Sequence, residues 1–379
     1  MVSTLSSMKR TSGSTSGFQT SSSPPGFRNL IINGDMTIAQ RGTSLAGITD
    51  SGGDYLVDRW KLDEVADSTL TMSQETLTSG DAYDDGFQKS LKVLVTTGDA
   101  DEESGGALSN SVQLTQAIEA RNLQLLNFGT ATAKNLTLSF WYKSNVTGIH
   151  TVCIDKIDST RATCPLEFTV SSADTWTKYT LNVNANAVIQ GASAAIANDS
   201  GVGFRVMWGL LYSSGFQNGT NGIWVQNGTG SFSTSNQQNI MSTISNYVEL
   251  TGVQLEVGSS ATDFEHWPYD YQLHRCQRYC FLVRSGLGYC GGTTLADILT
   301  TFPVEMRAQP SVTQVDSTIT IRDSALASIT QSSASCVAQS TATTGSVTRL
   351  GNYSGLTQHR PCHLFEGSNN AFYYWSAEL

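Results

Sequence analysis

The residues able to do chemistry are thinly spread. Carboxylates gather at Asp81, Asp84 and Asp85 and again at Asp99, Asp101, Glu102 and Glu103, and two such groups facing each other across a cleft are what glycoside hydrolysis requires. Adjacent acids in a Gly-rich stretch are ordinarily solvated, and no spacing here sets two of them across a cleft. His266 beside Trp267 reads as a packed corner and not as a base. There is no GxSxG elbow, HExxH pair, P-loop or dinucleotide-binding glycine pattern, and the glycines at Gly201 and Gly203 precede a strand and mark a turn. The expectation is a protein that is not an enzyme.

Binding chemistry has better candidates. Tyr83, Phe87, Tyr212, Phe216 and Trp224 lie in or beside Gly/Asn-rich loops, where an exposed ring could stack on a sugar face. Trp60, Trp141, Trp176 and Trp208 sit inside strand patterns and are expected in the core. Asp35, Glu256 and Asp263 are oxygen donors of the kind a structural calcium ion takes, if the first and last strands of the fold bring them together. Arg59 is read as solvated or paired with Asp58 or Glu256.

The seven cysteines leave at least one thiol unpaired within the chain. The stretch from Ile149 to Phe168 reads as two strands around a turn near Asp158 and Ser159, in a register that sets Cys153 opposite Cys164. They are read either as a disulfide or as two reduced thiols filling a core. Cys276, Cys280, Cys290 and Cys362 with His363 lack zinc-site spacing.

These residues need a scaffold, and composition says which kind. Only 14% of the 379 residues are charged, against about 25% in an ordinary globular chain. The chain carries 34 glycines and long runs of Ser, Thr and Asn. Such a surface suits short strands joined by turns, and not helical bundles with charged faces. The net charge of −10 excludes clustered phosphate recognition, so no nucleic-acid partner is expected. No apolar run approaches the ~18 residues of a membrane helix, and no membrane insertion is expected. The N-terminus lacks the apolar core of a signal peptide.

Residues 1–28 are mostly Ser, Thr and Gly, with no acid before Asp35. They read as a flexible arm in which Lys9, Arg10 and Phe18 are candidates for docking on a partner. Residues 29–265 carry strand patterns, among them "NLIING", "YLVDRWKL", "SLKVLV", "NLTLSFWYKS", "GVGFRVMWGL" and "VELTGVQLEV". They predict an all-β fold of two antiparallel sheets packed face to face, with one short helix over Leu114–Asn122. Residues 266–284 form a helical bracket opened by Pro268, with Tyr271, Leu273, Cys276 and Cys280 as its apolar stripe. Residues 285–379 are a small C-terminal β domain whose thin, polar sheets point to self-association.

Three segments carry a resemblance. "NLIINGDMTIAQRGTS" followed by "YLVDRW", the segment "VELTGVQLEVGSSATDFEHWPYDYQLHRCQRYC", and "FPVEMRAQPSVT" with the terminal "WSAEL" are similar to the opening, the closing and the following small domain of a module found in bacteriophage tail fibres and other virion appendage proteins. The resemblance implies a jelly-roll of the galactose-binding, carbohydrate-binding-module type, followed by a short helix and the small β domain. It implies a homotrimer on the virion surface, held to other phage virion proteins through the arm. The function expected is a structural tail fibre-like appendage presenting a β-sandwich for attachment to host-surface glycans, with no cofactor beyond structural calcium. The alternative is a purely architectural virion protein, a head-decorating fibre, knob or adaptor that binds no glycan.

Overall fold

The computed structural model describes residues 27–49, 53–100, 106, 110–226, 230–315, 318–323, 328–331, 335–365 and 372–379. Strands run in chain order as β1 (Ser44–Ile48), β2 (Asp54–Tyr55), β3 (Lys61–Val65), β4 (Thr69–Thr76), β5 (Lys89–Thr97), β6 (Ser111–Glu119), β7 (Leu136–Ser144), β8 (Gly148–Lys156), β9 (Ala162–Val170), β10 (Thr177–Val183), β11 (Val202–Tyr212), β12 (Val225–Gln226) and β13 (Tyr247–Val257). The helical turns α1 (Asp81–Asp84) and α2 (Ala187–Gln190) lie between them. One sheet has the order β1-β4-β5-β13-β7-β10 and the other β12-β9-β8-β11-β6-β3-β2. Together they form the two antiparallel sheets packed face to face that the strand patterns predict, in the jelly-roll sandwich that the resemblance implies.

Period-2 alternation builds the core. Leu91, Val93, Leu138, Phe140 and Leu250 point inward from the first sheet, and Val112, Leu114, Ile154, Val206 and Trp208 from the second. Each fully buried side chain of this size contributes about 1.5–3 kcal/mol. Trp60 and Trp208 are fully buried with ring centroids 5.5 Å apart, and Trp141 and Trp176 are buried at 9% and 8% exposure.

Three local expectations are corrected. Leu114–Asn122 is no helix: its first part lies within β6, and a 3-10 turn over Ala120–Leu126 follows. Strand pairing on both sides, with β3 and β11, decides the matter over local propensity. The "NLIING" segment forms no ladder. Side-chain amides replace it, with Ile31 N–H donating to Asn29 Oδ1, Ile32 N–H to Gln116 Oε1 and Asn33 N–H to Gln272 Oε1. Gly34 is required there because a Cβ would meet the Val253 carbonyl oxygen at 2.1 Å. Finally, Cys153 pairs across the strands with Pro165, and Cys164 with Ile154. This one-residue slip turns the two thiols to opposite faces, and both are free and buried.

After the sandwich come α3 (Tyr269–Gln277), β14 (Cys280–Val283), β15 (Leu287–Cys290), β16 (Ala296–Thr301), β17 (Ser311–Gln314), β18 (Ile319–Asp323), β19 (Ser328–Gln331), β20 (Ser335–Thr341), β21 (Gly345–Gly351), β22 (Pro361–Phe365) and β23 (Tyr373–Ser376). They form a three-stranded sheet, β14-β23-β17, and a seven-stranded sheet, β19-β18-β22-β15-β16-β21-β20. A second core, including Ile298, Ile321, Leu350, Leu364 and Trp375, lies within this region.

The segments "NLIINGDMTIAQRGTS" with "YLVDRW", "VELTGVQLEVGSSATDFEHWPYDYQLHRCQRYC", and "FPVEMRAQPSVT" with "WSAEL" meet where the sandwich joins this second region. Arg59 is neither solvated nor paired with Asp58 or Glu256. It is 1% exposed, its Nη1 bonds Glu378, its Nη2 donates to the Ala117 carbonyl at 2.7 Å, and its guanidinium lies 3.5 Å from the Tyr279 ring centroid. Arg41 Nη2 reaches the other Glu378 oxygen at 3.0 Å. Arg307 donates to the carbonyls of Ala377 and Glu378 at 2.7 and 2.8 Å. Arg278 forks onto Glu119 at 2.7 and 2.9 Å, and Tyr279 Oη donates to the same carboxylate. These three segments therefore form a structural joint.

Candidate functional site

The outer face of the first sheet, turned away from the core, carries a different set of side chains. Alternation puts Lys92 of β5, Tyr247 and Glu249 of β13, and Trp141 and Lys143 of β7 on that face. The register sets Glu249 opposite both Lys92 and Lys143, which makes one ionic rung across three strands. Lys143 Nζ lies 3.0 Å and Lys92 Nζ 3.8 Å from the Glu249 carboxylate. Ser90 Oγ adds a third donor at 3.4 Å.

Aromatic rings sit beside these charges. Lys92 lies 4.4 Å from the Tyr247 ring centroid, and Lys143 lies 5.0 Å from that of Trp176. Cation–π contacts of this kind stabilise by about 0.5–1 kcal/mol at exposed sites. Tyr247 Oη donates to Asp174 at 2.5 Å; burial, and then this bond, raise its phenol above the ordinary range. Further along, Trp141 Nε1 and Lys178 Nζ both bond Asp85 Oδ2 at 2.9 Å. Partial burial works against ionisation of Asp85, but these bonds hold its carboxyl below the usual range.

A bulge in β13 between Thr251 and Gln254 shapes the neighbouring part of this face. Gly252 adopts φ +61° there, and a Cβ would press into the Phe87 ring at 2.7 Å. Phe87 is the wedge that seats the loop carrying α1 over the sheet, packed against Phe264 with centroids 4.9 Å apart. Beside that loop lies a cleft of about 280 Å³. Its floor is the Lys92, Glu249 and Lys143 rung, with Trp176 as one wall and Glu75 at the rim. Ammonium donors and carboxylate acceptors here converge on one concave, almost wholly polar surface, to which the buried Trp176 ring adds little.

The ring residues expected from the sequence are placed differently. Phe87, Tyr212 and Trp224 are each 2% exposed, so as exposed stacking faces they are corrected. Trp224 packs on Phe128 in the sandwich core, and Tyr212 ends β11 with its hydroxyl on Gln113. The Gly/Asn-rich loops fold back over the strands instead of standing clear. Phe216 is half-buried against Phe232, with centroids 5.6 Å apart. Tyr83, on α1, is 36% exposed but does not line the cleft.

The metal expectation is also corrected. Among the described residues, no group of three or more His, Cys, Asp or Glu could hold a metal ion. Asp35 accepts from Gln272 Nε2 at 2.8 Å. The two oxygens of Glu256 take Thr262 N–H, Thr262 Oγ1 and Gln254 Nε2 at 2.7–2.9 Å. Asp263 accepts through its backbone carbonyl, from Arg28 at 3.4 Å and Gln254 at 3.3 Å. Lys9, Arg10 and Phe18 lie outside the described residues.

No protein-family model and no curated protein matches this sequence. Among solved structures, the chain is similar to the enzymatically active domain of tailspike protein 4 of bacteriophage CBA120, at 13% identity and a TM-score of 0.29; the match covers 56% of this chain and only 21% of that one. It is similar to the family 11 carbohydrate-binding module of the Clostridium thermocellum cellulase Lic26A-Cel5E, at 13% identity, a TM-score of 0.27, and 57% and 95% coverage of the two chains. It is also similar to the carbohydrate-binding module TmCBM61, solved in complex with β-1,4-galactotriose, at 10% identity, a TM-score of 0.27, and 61% and 100% coverage.

Proposed function

We propose that the sandwich is a glycan-binding module and that the chain is a structural appendage protein of a bacteriophage particle. The observation that carries the binding reading is the cleft over the first sheet, where Trp176 stands beside the Lys92, Glu249 and Lys143 rung. A sugar would be held there through its polar edge, with Trp176, buried beneath Lys143, fixing the position of that lysine. The sugar hydroxyls would donate to Glu75 and Glu249 and accept from the two lysines. No bond is made or broken, so the action is equilibrium binding. Each site is weak, and copies displayed together gain strength through avidity.

The particle assignment is supported by the three sequence segments and by their convergence on the joint around Arg59 and Glu378. In this reading residues 1–28 dock to other particle proteins, 29–265 bind glycan, 266–284 brace, and 285–379 associate with two further copies in a homotrimer. An architectural protein that binds no glycan is the second reading. It is favoured by the apolar side chains that β15 and β16 leave exposed, Leu287 at 74% and Leu299 at 62%.

A glycan array probed with the purified full chain separates the two. The expected result is binding to a host-surface polysaccharide that weakens about tenfold in Lys143→Ala and in Trp176→Leu, with both variants still folded. Absence of binding by the assembled protein would decide for the architectural reading. Release of fragments from the polysaccharide would overturn the proposal that no chemistry occurs.

A further inference from the structure

A second pocket lies on the far side of the joint, where α3 packs beside the start of the described chain. It measures about 350 Å³, and its walls include Phe27, Leu125, Tyr271, Arg275 and Arg278, a size suited to a small ligand. Two of its wall rings, Phe27 and Tyr271, flank Trp267 in one stack. Phe27 and Trp267 have centroids 5.1 Å apart at 26°, and Trp267 and Tyr271 are 4.8 Å apart. Phe27 remains 64% exposed and Leu125 42%.

Arg275 is the unusual member. One helical turn after Tyr271, it shares that residue's face of α3. Its Nη1 is shut off from water with no hydrogen-bond partner. Arg278, on the same pocket, is fully engaged by Glu119 and by the Glu305 carbonyl. Glu265, whose charge reaches Arg275, is committed to the Asn29 N–H at 2.9 Å and to Arg28 at 3.9 Å. The segment leading into Phe27 contains no acid, since Asp35 is the first in the chain. Burial accordingly pulls the Arg275 guanidinium below its usual range, whereas Arg41 and Arg59, which share Glu378, are raised. A guanidinium is costly to bury without an anion and matches a carboxylate bidentately.

We propose that this pocket binds a carboxylate-bearing sugar ring, a uronic acid unit, with its ring on the exposed face of Phe27 or Tyr271 and its carboxylate on Arg275. An acidic peptide would satisfy the charge but has no use for the open aromatic faces. The site is separate from the sandwich cleft and does not rest on the glycan reading of that cleft.

Titration of the full chain with glucuronate, glucose and N-acetylglutamate, followed by calorimetry or heteronuclear NMR, tests it. Glucuronate is expected to bind. Glucose and N-acetylglutamate should each bind at least about tenfold more weakly, and Arg275→Gln should lose roughly tenfold to a hundredfold. In a Lys143→Ala background, where the sandwich cleft is disabled, the loss caused by Arg275→Gln should persist, which keeps this site's failure distinct from that of the cleft. Unchanged binding in Arg275→Gln, or equal binding of glucose, overturns the proposal. Equal binding of N-acetylglutamate overturns it in favour of an acidic peptide. A large fall in the melting temperature of Arg275→Gln would show the guanidinium to be a structural partner and would also overturn it.

Discussion

On the outer face of the sandwich's first sheet, three aromatic side chains are tied to ionic partners: Trp141 to Asp85, Trp176 to Lys143, and Tyr247 to Lys92 and Asp174. On the outer face of the C-terminal seven-stranded sheet, Leu287 and Leu299 stand directly opposite each other on β15 and β16, and both are largely exposed. Arg349 there forks onto Asp297 at 2.8 Å, and the pair neutralises itself. A face whose rings are held in place by polar partners is pre-organised for a polar ligand, because the rings need not reorder on binding. Exposed apolar side chains standing side by side gain most by being covered. The same fold principle, one sheet with one face in the core, thus yields two outer surfaces of different chemistry.

The sandwich carries its own hydrophobic core, and its stability should rest on the tryptophans buried there. Replacing Trp60 with Ala tests that most severely, since its ring is fully buried against Trp208 and its Nε1 donates to the Asn33 carbonyl at 3.0 Å. The expected loss is about 3–5 kcal/mol in denaturant unfolding. A near-neutral result would mean that the sandwich core is not the source of stability. Glu378→Gln comes next. It removes the charge shared by Arg41 and Arg59, each of which already has one buried nitrogen without a partner. A loss of about 3 kcal/mol is expected, with residues beyond α3 becoming cleavable by protease before the sandwich. A single unchanged transition would show that the joint does not couple the two regions.

Two buried titratable groups sharpen the contrast between joint and sandwich. Burial, outweighing Arg41 and the bonds from Gln40, lifts Asp58 at the joint from its ordinary 3.8 to about 6. The folded chain holds that proton more tightly than the unfolded one, so this group costs stability as pH rises from about 4 to about 6. Inside the sandwich, burial lowers His150 from 6.5 to about 4. Its Nδ1 lies 2.9 Å from the Tyr142 hydroxyl and its Nε2 2.9 Å from the Val146 carbonyl. The folded chain resists protonating it, so its contribution is present above pH 6.5 and is lost as pH falls towards 4. Each effect is on the order of 2–3 kcal/mol, and they oppose each other across one window. Asp58→Asn should therefore gain stability as pH rises from 4 to 6.5, and His150→Gln should lose it. Parallel profiles for both variants and the wild type would remove the distinction.

Strand alternation and the Gly/Asn-rich turns make the sandwich legible in the sequence, because burial of one face imposes period 2 on strands such as "LTLSFWYKS". The same alternation contains the cleft, with Lys92, Lys143 and Glu249 each one residue from a core position. What was not legible is which strands are neighbours, and the rung exists only because β13 lies between β5 and β7. Loop aromatics misled for a related reason. A ring in a Gly-rich loop is as able to anchor the loop, as Phe87 does, as to stand clear of it. Arg59 found its partner 319 residues away in Glu378, a separation at which no local pattern operates.

The smallest expected effect on folding bears on the least buried residues. Leu287 and Leu299 contribute little to the fold, since they face solvent at 74% and 62% exposure, so the double substitution Leu287→Ser and Leu299→Ser should change monomer stability by no more than about 0.5 kcal/mol each. If copies of the chain associate through this face, the same variant should sediment as a smaller species than the wild type at equal concentration while its glycan binding per site is preserved. Its avidity for a polysaccharide surface should fall, because avidity depends on the number of linked sites and not on their individual strength. Unchanged sedimentation would free this face from self-association.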